Sequence, residues 1–140
     1  MPFSLHRFHF DDGRVHHMSG HHWEMQLSVV RHAMFTQCLM LFHKRLVRIV
    51  QPVLGESSII TIVVSCNAGC QRSVAMVNIL RALLCKDGWP SVVSRDLHLH
   101  GCADPRVPDN CCQCAECRSS HGVSPVVLAS AYQQWRAVCS

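Results

Sequence analysis

One stretch of the chain predicts its fold: Ile59-Ile60-Thr61-Ile62-Val63-Val64-Ser65-Cys66-Asn67-Ala68-Gly69-Cys70-Gln71-Arg72-Ser73-Val74. An uncharged apolar run meets a short loop, and the residues from Val74 to Leu84 favour a helix. A strand feeding a loop that opens a helix is a common anion site, because the first helical N–H groups are unpaired and the helix dipole favours negative charge. Arg72 adds a planar guanidinium that can bind two phosphate oxygens. The stretch therefore predicts a site for a phosphate-like group at residues 66–73.

The composition is that of a globular protein. The 140 residues are 49% hydrophobic and 16% charged, which suits one domain with a real core and excludes a disordered chain. A net charge of +4 is compatible with phosphate ligands or RNA without being diagnostic of either. The sequence contains neither a signal peptide nor an apolar run long enough to span a membrane, and its ten cysteines favour a reducing compartment. We therefore expect a cytoplasmic protein with no membrane partner.

The spacing of apolar residues predicts the strands and helices that precede this stretch. Alternation over Leu5–Phe10 predicts a short strand, and residues 14–22 form a histidine-rich loop, which we expect to be solvated. Residues 23–50 have a helical pattern, long enough for a kink or two segments. Its apolar stripe is expected in the core: Val30, Met34, Cys38, Phe42, Leu46 and Ile49. Its basic set is expected in solvent: Lys44, Arg45 and Arg48.

The elements from residue 58 onward predict a strand–helix–strand unit. Residues 58–65 favour a buried parallel strand, because Ile and Val occupy both faces. The helix over 73–84 should end near Gly88, and 91–97 is a further strand candidate. Ser124 and Pro125 favour the start of a last helix. The expected fold class is α/β: a small, mostly parallel sheet flanked by helices, with strand, phosphate loop and helix at its centre.

The loop fits two known patterns. Cys66-Asn67-Ala68-Gly69-Cys70-Gln71-Arg72-Ser73 matches Cys-x5-Arg-Ser, the phosphate loop of cysteine-dependent phosphatases. It also resembles the Cys-Thr-Gly-Gly-x-His-Arg-Ser loop in the C-terminal domain of the RNase adapter protein RapZ family. That second resemblance extends over most of residues 7–97. It includes the opening segment Arg7-Phe8-His9-Phe10-Asp11-Asp12-Gly13 and the segment Val92-Val93-Ser94-Arg95-Asp96-Leu97 after the loop helix.

The resemblance to the RapZ C-terminal domain implies a single domain over residues 1–140 that senses an anion without turning it over. In that family the domain resembles an oligomerising sensor of a phosphosugar and regulatory RNA. It implies a phosphorylated small molecule or RNA as the partner here, and a homo-oligomer is compatible with it. The anion contacts would come from Asn67, Ala68, Gly69, Cys70, Gln71, Arg72, Ser73 and His9.

The chain also departs from that family. Ala68, Cys70 and Gln71 replace a glycine, a frequently basic residue and a histidine of the loop. The family's second strand is missing or replaced by the loop over 14–22, and a cysteine cluster replaces its basic tail. The family resemblance therefore supports anion binding by this chain more strongly than RNA binding.

The alternative function is a cysteine-dependent phosphatase with Cys66 as nucleophile. The helix N-terminus and Arg72 would stabilise a thiolate, and Ser73 could donate to the sulfur. Such enzymes usually carry a histidine before the cysteine, where this chain has Ser65, and they need an acid for the leaving oxygen. The nearest downstream acids are Asp87 and Asp96, neither in a recognisable acid loop.

A second feature is the cysteine-rich segment over residues 98–121, interpreted as an insert that binds zinc. The spacing Cys111-x2-Cys114-x2-Cys117 places thiolates as tetrahedral Zn²⁺ requires. The predicted structural zinc site uses Cys102, Cys111, Cys114 and Cys117, with His98, His100 and Cys112 as substitutes. Free thiols, or disulfides in an exported protein, are the alternative. A third functional hypothesis is thus a zinc-stabilised protein-interaction domain.

Overall fold

The computed structural model describes residues 2–4, 20–55, 58–66, 72–94 and 122–140. Within them the chain is a helix-rich α/β protein with four α-helices and a two-stranded parallel sheet. The elements in chain order are β1 (Pro2–Ser4), α1 (Trp23–Arg31), α2 (Phe35–Val50), β2 (Val63–Ser65), α3 (Arg72–Lys86) and α4 (Pro125–Cys139). A short 3₁₀ turn, Gln51–Val53, follows α2. No helix in the described part of the chain is long and apolar enough to cross a membrane.

The helical pattern over residues 23–50 forms two helices. The His22 side chain caps α1 by accepting from the Glu24 N–H, and the helix ends at Arg31. At the break, the His32 N–H donates to the Val29 carbonyl and the His32 ring accepts from the Met34 N–H at 3.1 Å. These local hydrogen bonds satisfy groups that a continuous helix would have paired along its axis. The two-segment alternative is therefore confirmed.

The core lies between the helices. Of the predicted stripe, Val30, Cys38, Phe42 and Leu46 are buried, Met34 is partly buried, and Ile49 is exposed at the end of the stripe. Phe42 packs between the rings of Phe3 and Trp135, with centroids 5.6 and 6.2 Å away. This contact joins β1, α2 and α4 through one side chain.

In the described part of the chain, the sheet is smaller than the sequence predicts. β1 and β2 pair only as Pro2 with Val63, Phe3 with Val64 and Ser4 with Ser65. The prediction of a buried strand over 58–65 is wrong for residues 58–62, which are not a strand, and it is wrong about burial, since Ile59 is 96% and Val63 51% exposed. The physical reason is the partner: the ladder begins at Pro2, which has no N–H to donate, and Phe3 is the single buried residue of β1.

The second strand of the predicted strand–helix–strand unit is absent from the residues described there. Ser91 lies in a turn with a φ of 54°, and residues 92–94 have no regular secondary structure. Residues 95–97 lie outside the described residues, as does the strand predicted over 5–10. The observed parallel pairing instead joins β1 to β2 across α1 and α2.

The predicted helix ends are confirmed. The Ser124 hydroxyl accepts from the Val127 N–H, and Pro125 occupies the first turn of α4. At the other end of α3, Gly88 has a φ of +86° and its N–H donates to the Cys85 carbonyl. The Trp89 N–H donates to the Leu84 carbonyl at 3.0 Å. This pair of bonds is a Schellman motif, which places glycine where a left-handed residue is required.

Candidate functional site

Cys66 and Ser73 meet where the sheet passes the chain to α3. Cys66 directly follows β2 and is buried, with 8% of its surface exposed. Its Sγ lies 3.2 Å from the Ser73 hydroxyl and 3.4 Å from the Ser73 backbone nitrogen. Ser73 is the second residue of α3, so the sulfur accepts one of the N–H groups that a helix leaves unpaired in its first turn. These hydrogen bonds therefore connect the residue that follows β2 to the first turn of α3.

The contacts of Cys66 suit both protonation states of its sulfur. The Ser73 N–H donates to it in either state. The neutral thiol donates to the Ser73 hydroxyl, and the thiolate would accept from that hydroxyl instead. A helix N-terminus and two donors are features that stabilise a thiolate, which is the nucleophilic and metal-binding form of cysteine.

Part of the predicted anion site is described. Arg72 opens α3 and is half-buried, and Ser73 is buried at the sulfur of Cys66. The other predicted contacts lie outside the described residues: Asn67, Ala68, Gly69, Cys70, Gln71 and His9. The structure therefore brings together Cys66 and Ser73, with Arg72 next to Ser73 in the chain.

Asp87 cannot serve as a general acid at this site. It directly follows the last residue of α3, whereas the site lies at the first. At 1.5 Å per residue the two ends are roughly 22 Å apart along the helix axis. Asp96, the other downstream acid, lies outside the described residues. The phosphatase alternative therefore loses one of its two nearest candidate acids.

The predicted zinc ligands all lie outside the described residues: Cys102, Cys111, Cys112, Cys114, Cys117, His98 and His100. Among the residues that are described, no three His, Cys, Asp or Glu side chains gather as a metal site would require.

Arg45, from the basic set of α2, lies at the other end of the sheet from Cys66. Its Nη1 donates to the carbonyl of Pro2 at 3.2 Å, where β1 begins. Because the strands are parallel, Cys66 lies at the opposite end of the strands, where β2 ends.

Two buried polar contacts have no signal in the sequence. Asn78 Nδ2 lies 3.1 Å from His21 Nδ1, and both side chains are buried. His21 thus departs from the expected solvated loop. Gln26 is also buried, and its Nε2 donates to the carbonyls of Gly20 and Gly122, at 3.2 and 3.5 Å. His21 and Asn78 are 57 residues apart and Gln26 and Gly122 are 96 apart, so periodicity could not indicate these contacts.

Comparison of the chain with protein families, curated proteins and solved structures finds no match in any of the three.

Proposed function

We propose that the chain is a phosphate-binding module that holds a phosphorylated small molecule or RNA at residues 66–73 without turning it over. The observation that carries this proposal is the hydrogen-bonded contact between Cys66, which follows β2, and Ser73, in the first turn of α3. The hydroxyl and the backbone nitrogen of Ser73, the second residue of α3, lie 3.2 and 3.4 Å from the sulfur, with Arg72 adjacent in the chain. A helix N-terminus beside an arginine favours a bound anion. The resemblance to the RapZ C-terminal domain supports the same assignment.

The charge of the chain is compatible with an anionic ligand. Its 13 Lys and Arg residues exceed its 9 Asp and Glu residues, which gives a net charge of +4 at pH 7. A positive net charge favours the encounter of the protein with phosphorylated compounds.

The test is thermal unfolding with inorganic phosphate, a hexose phosphate or a short RNA. A compound that binds at residues 66–73 raises the melting temperature, and at ten times its Kd it stabilises the native state by about 1.4 kcal/mol. Arg72→Ala should abolish this gain. Arg136→Ala is the matched control, since Arg136 is an exposed arginine in the last turn of α4. If no phosphorylated compound or RNA raises the melting temperature, the proposal fails and the protein-interaction hypothesis remains.

The second candidate is a cysteine-dependent phosphatase, and the observation that favours it is that the N–H and the hydroxyl of Ser73 both lie at the sulfur of Cys66, where both would donate to a thiolate. The thiolate would attack phosphorus while the bond to the leaving oxygen breaks, and that oxygen takes the electron pair and a proton. Water would then cleave the phosphorus–sulfur bond and release phosphate and the thiol. Hydrolysis of an aryl phosphate that is lost in Cys66→Ser would establish this reaction. Phosphate binding that survives Cys66→Ser, with no turnover by the unaltered protein, supports the non-catalytic module.

A further inference from the structure

The outward face of α2 combines two apolar and three basic side chains. We define this face by Met40, Leu41, Lys44, Arg45 and Arg48, all of which are exposed. Residues four apart in a helix are neighbours on its surface. Met40, Lys44 and Arg48 therefore form one row, and Leu41 and Arg45 form a second row beside it. The face is apolar towards the start of α2 and cationic towards its end.

The positive charge of this face is not balanced by acidic residues of α2 or of α4. No Asp or Glu lies between Glu24 and Glu56 in the sequence, so α2 and the 3₁₀ turn have none. α4, which packs along α2, has no acidic residue either and adds Arg136. α1 also contacts α2, and its one acidic residue is Glu24 in its first turn. A partner that places carboxylates on this face would find no competing acid on α2 or α4.

The apolar half of the face distinguishes between anionic partners. Met40 is 51% and Leu41 48% exposed, and they are adjacent. A nucleic-acid backbone would use the cations and gain little from these side chains. A membrane-surface helix inserts a wide apolar face, but that face of α2, with Phe35, Leu39 and Phe42, is buried in the core. Methionine and arginine together are enriched in protein–protein interfaces.

We propose that the outward face of α2 binds an acidic, amphipathic helical segment of a partner protein. Apolar side chains of the partner would cover Met40 and Leu41, and its carboxylates would pair with Lys44 and Arg48. Arg45 contributes less, because it already donates to the carbonyl of Pro2. This surface differs in position from Cys66, because Arg45 contacts Pro2 at the start of β1 whereas Cys66 follows the end of β2.

The probe is a fluorescently labelled synthetic helix of glutamate, alanine and leucine, with its leucines spaced every three or four residues. A scrambled peptide of the same composition is its control. Fluorescence anisotropy with the full chain should show binding of the patterned peptide that weakens as salt is added. Equal binding of the scrambled peptide, or no binding of either, overturns the proposal.

Variants then locate the binding surface. The double variant Lys44→Glu/Arg48→Glu should weaken peptide binding by at least roughly tenfold, and Met40→Ser/Leu41→Ser by several-fold. Arg31→Glu, an exposed charge reversal in the last turn of α1, should change it little. Circular dichroism and a melting temperature close to that of the unaltered protein show that the charge-reversal variant is folded. Tighter binding of RNA or of phosphatidylserine vesicles to this face, lost in the same double variant, overturns the proposal in favour of those partners.

Discussion

The helices and the sheet differ in how much of their apolar side-chain surface is buried. In α2, Leu39 and Phe42 have almost no exposed surface, because α1, α4 and β1 pack around them. In and before β2, Val63 is half exposed and Ile59 is almost fully exposed. The run into β2 is the more apolar of the two in sequence, with Ile or Val at five of the six positions 59–64, whereas α2 is amphipathic. What separates them is the number of elements available to cover each face.

This contrast shows that an apolar run in the sequence does not reveal which elements will pack against it. A helix with one apolar stripe needs only one neighbouring surface, and α2 has several. A strand with apolar residues on both faces needs a layer on each side. Among the described residues, β2 pairs with one three-residue strand, so such a strand cannot be buried on both faces.

The largest expected effect is in the helical body. Leu39→Ala removes a fully buried side chain and should lower the free energy of unfolding by about 2–5 kcal/mol, measured by urea denaturation. Leu41→Ala is the matched control, because the same change two positions along the same helix affects a side chain that is 48% exposed. It should alter stability by no more than about 0.5 kcal/mol. If both variants lost the same free energy of unfolding, Leu39 and Leu41 would not differ in burial as described.

A pH titration sharpens the contrast with a smaller effect. Burial raises the pKa of the Cys38 thiol to about 12, from 9.0 in the unfolded chain. Between these values the unfolded state loses the proton and the native state keeps it, so stability is complete below pH 9 and falls as the pH rises. Denaturation between pH 8 and 10.5 should show this decline. In Cys38→Ala the slope against pH should be shallower by up to one proton, and an unchanged slope would contradict the burial of Cys38.

The smallest expected effect is at the sheet. Ile59→Thr changes an almost fully exposed residue and should leave the free energy of unfolding within about 0.5 kcal/mol of its original value. Val64→Thr is the comparison within the sheet, since Val64 lies in β2 and packs partly against the core. Thermal unfolding should show a larger loss for Val64→Thr. A substantial loss for Ile59→Thr would mean that the run before β2 is covered after all.

The sequence predicted those parts of the fold that depend on neighbouring residues. Ser124 with Pro125, and Gly88 after α3, define helix ends through contacts within a few positions, and the structure has both. The break after Arg31 has no Gly or Pro to mark it, so its existence could be anticipated but not its position. The extent of β2 depends on Pro2, far away in the chain, and was overestimated for that reason.

The candidate site shows the same division between local and distant information. The approach of Ser73 to the sulfur of Cys66 was anticipated under the phosphatase alternative, in which Ser73 donates to the sulfur, and the two residues are only seven positions apart. The buried contact of His21 with Asn78 was not, since 57 residues separate them. Whether residues 66–73 bind an anion, and whether residues 98–121 bind zinc, both remain predictions.

The register of β1 against β2 has a consequence for chain entropy. Their pairing closes a loop of about 60 residues, whereas the contact of Cys66 with Ser73 closes one of seven. Loop closure costs about (3/2)RT times the logarithm of loop length, so the contact at Cys66 costs roughly 2 kcal/mol less to close than the sheet. The contact between Cys66 and Ser73 therefore depends little on whether β1 is paired with β2. Loosening the start of the chain can separate Pro2 from Val63 while Cys66 stays beside Ser73.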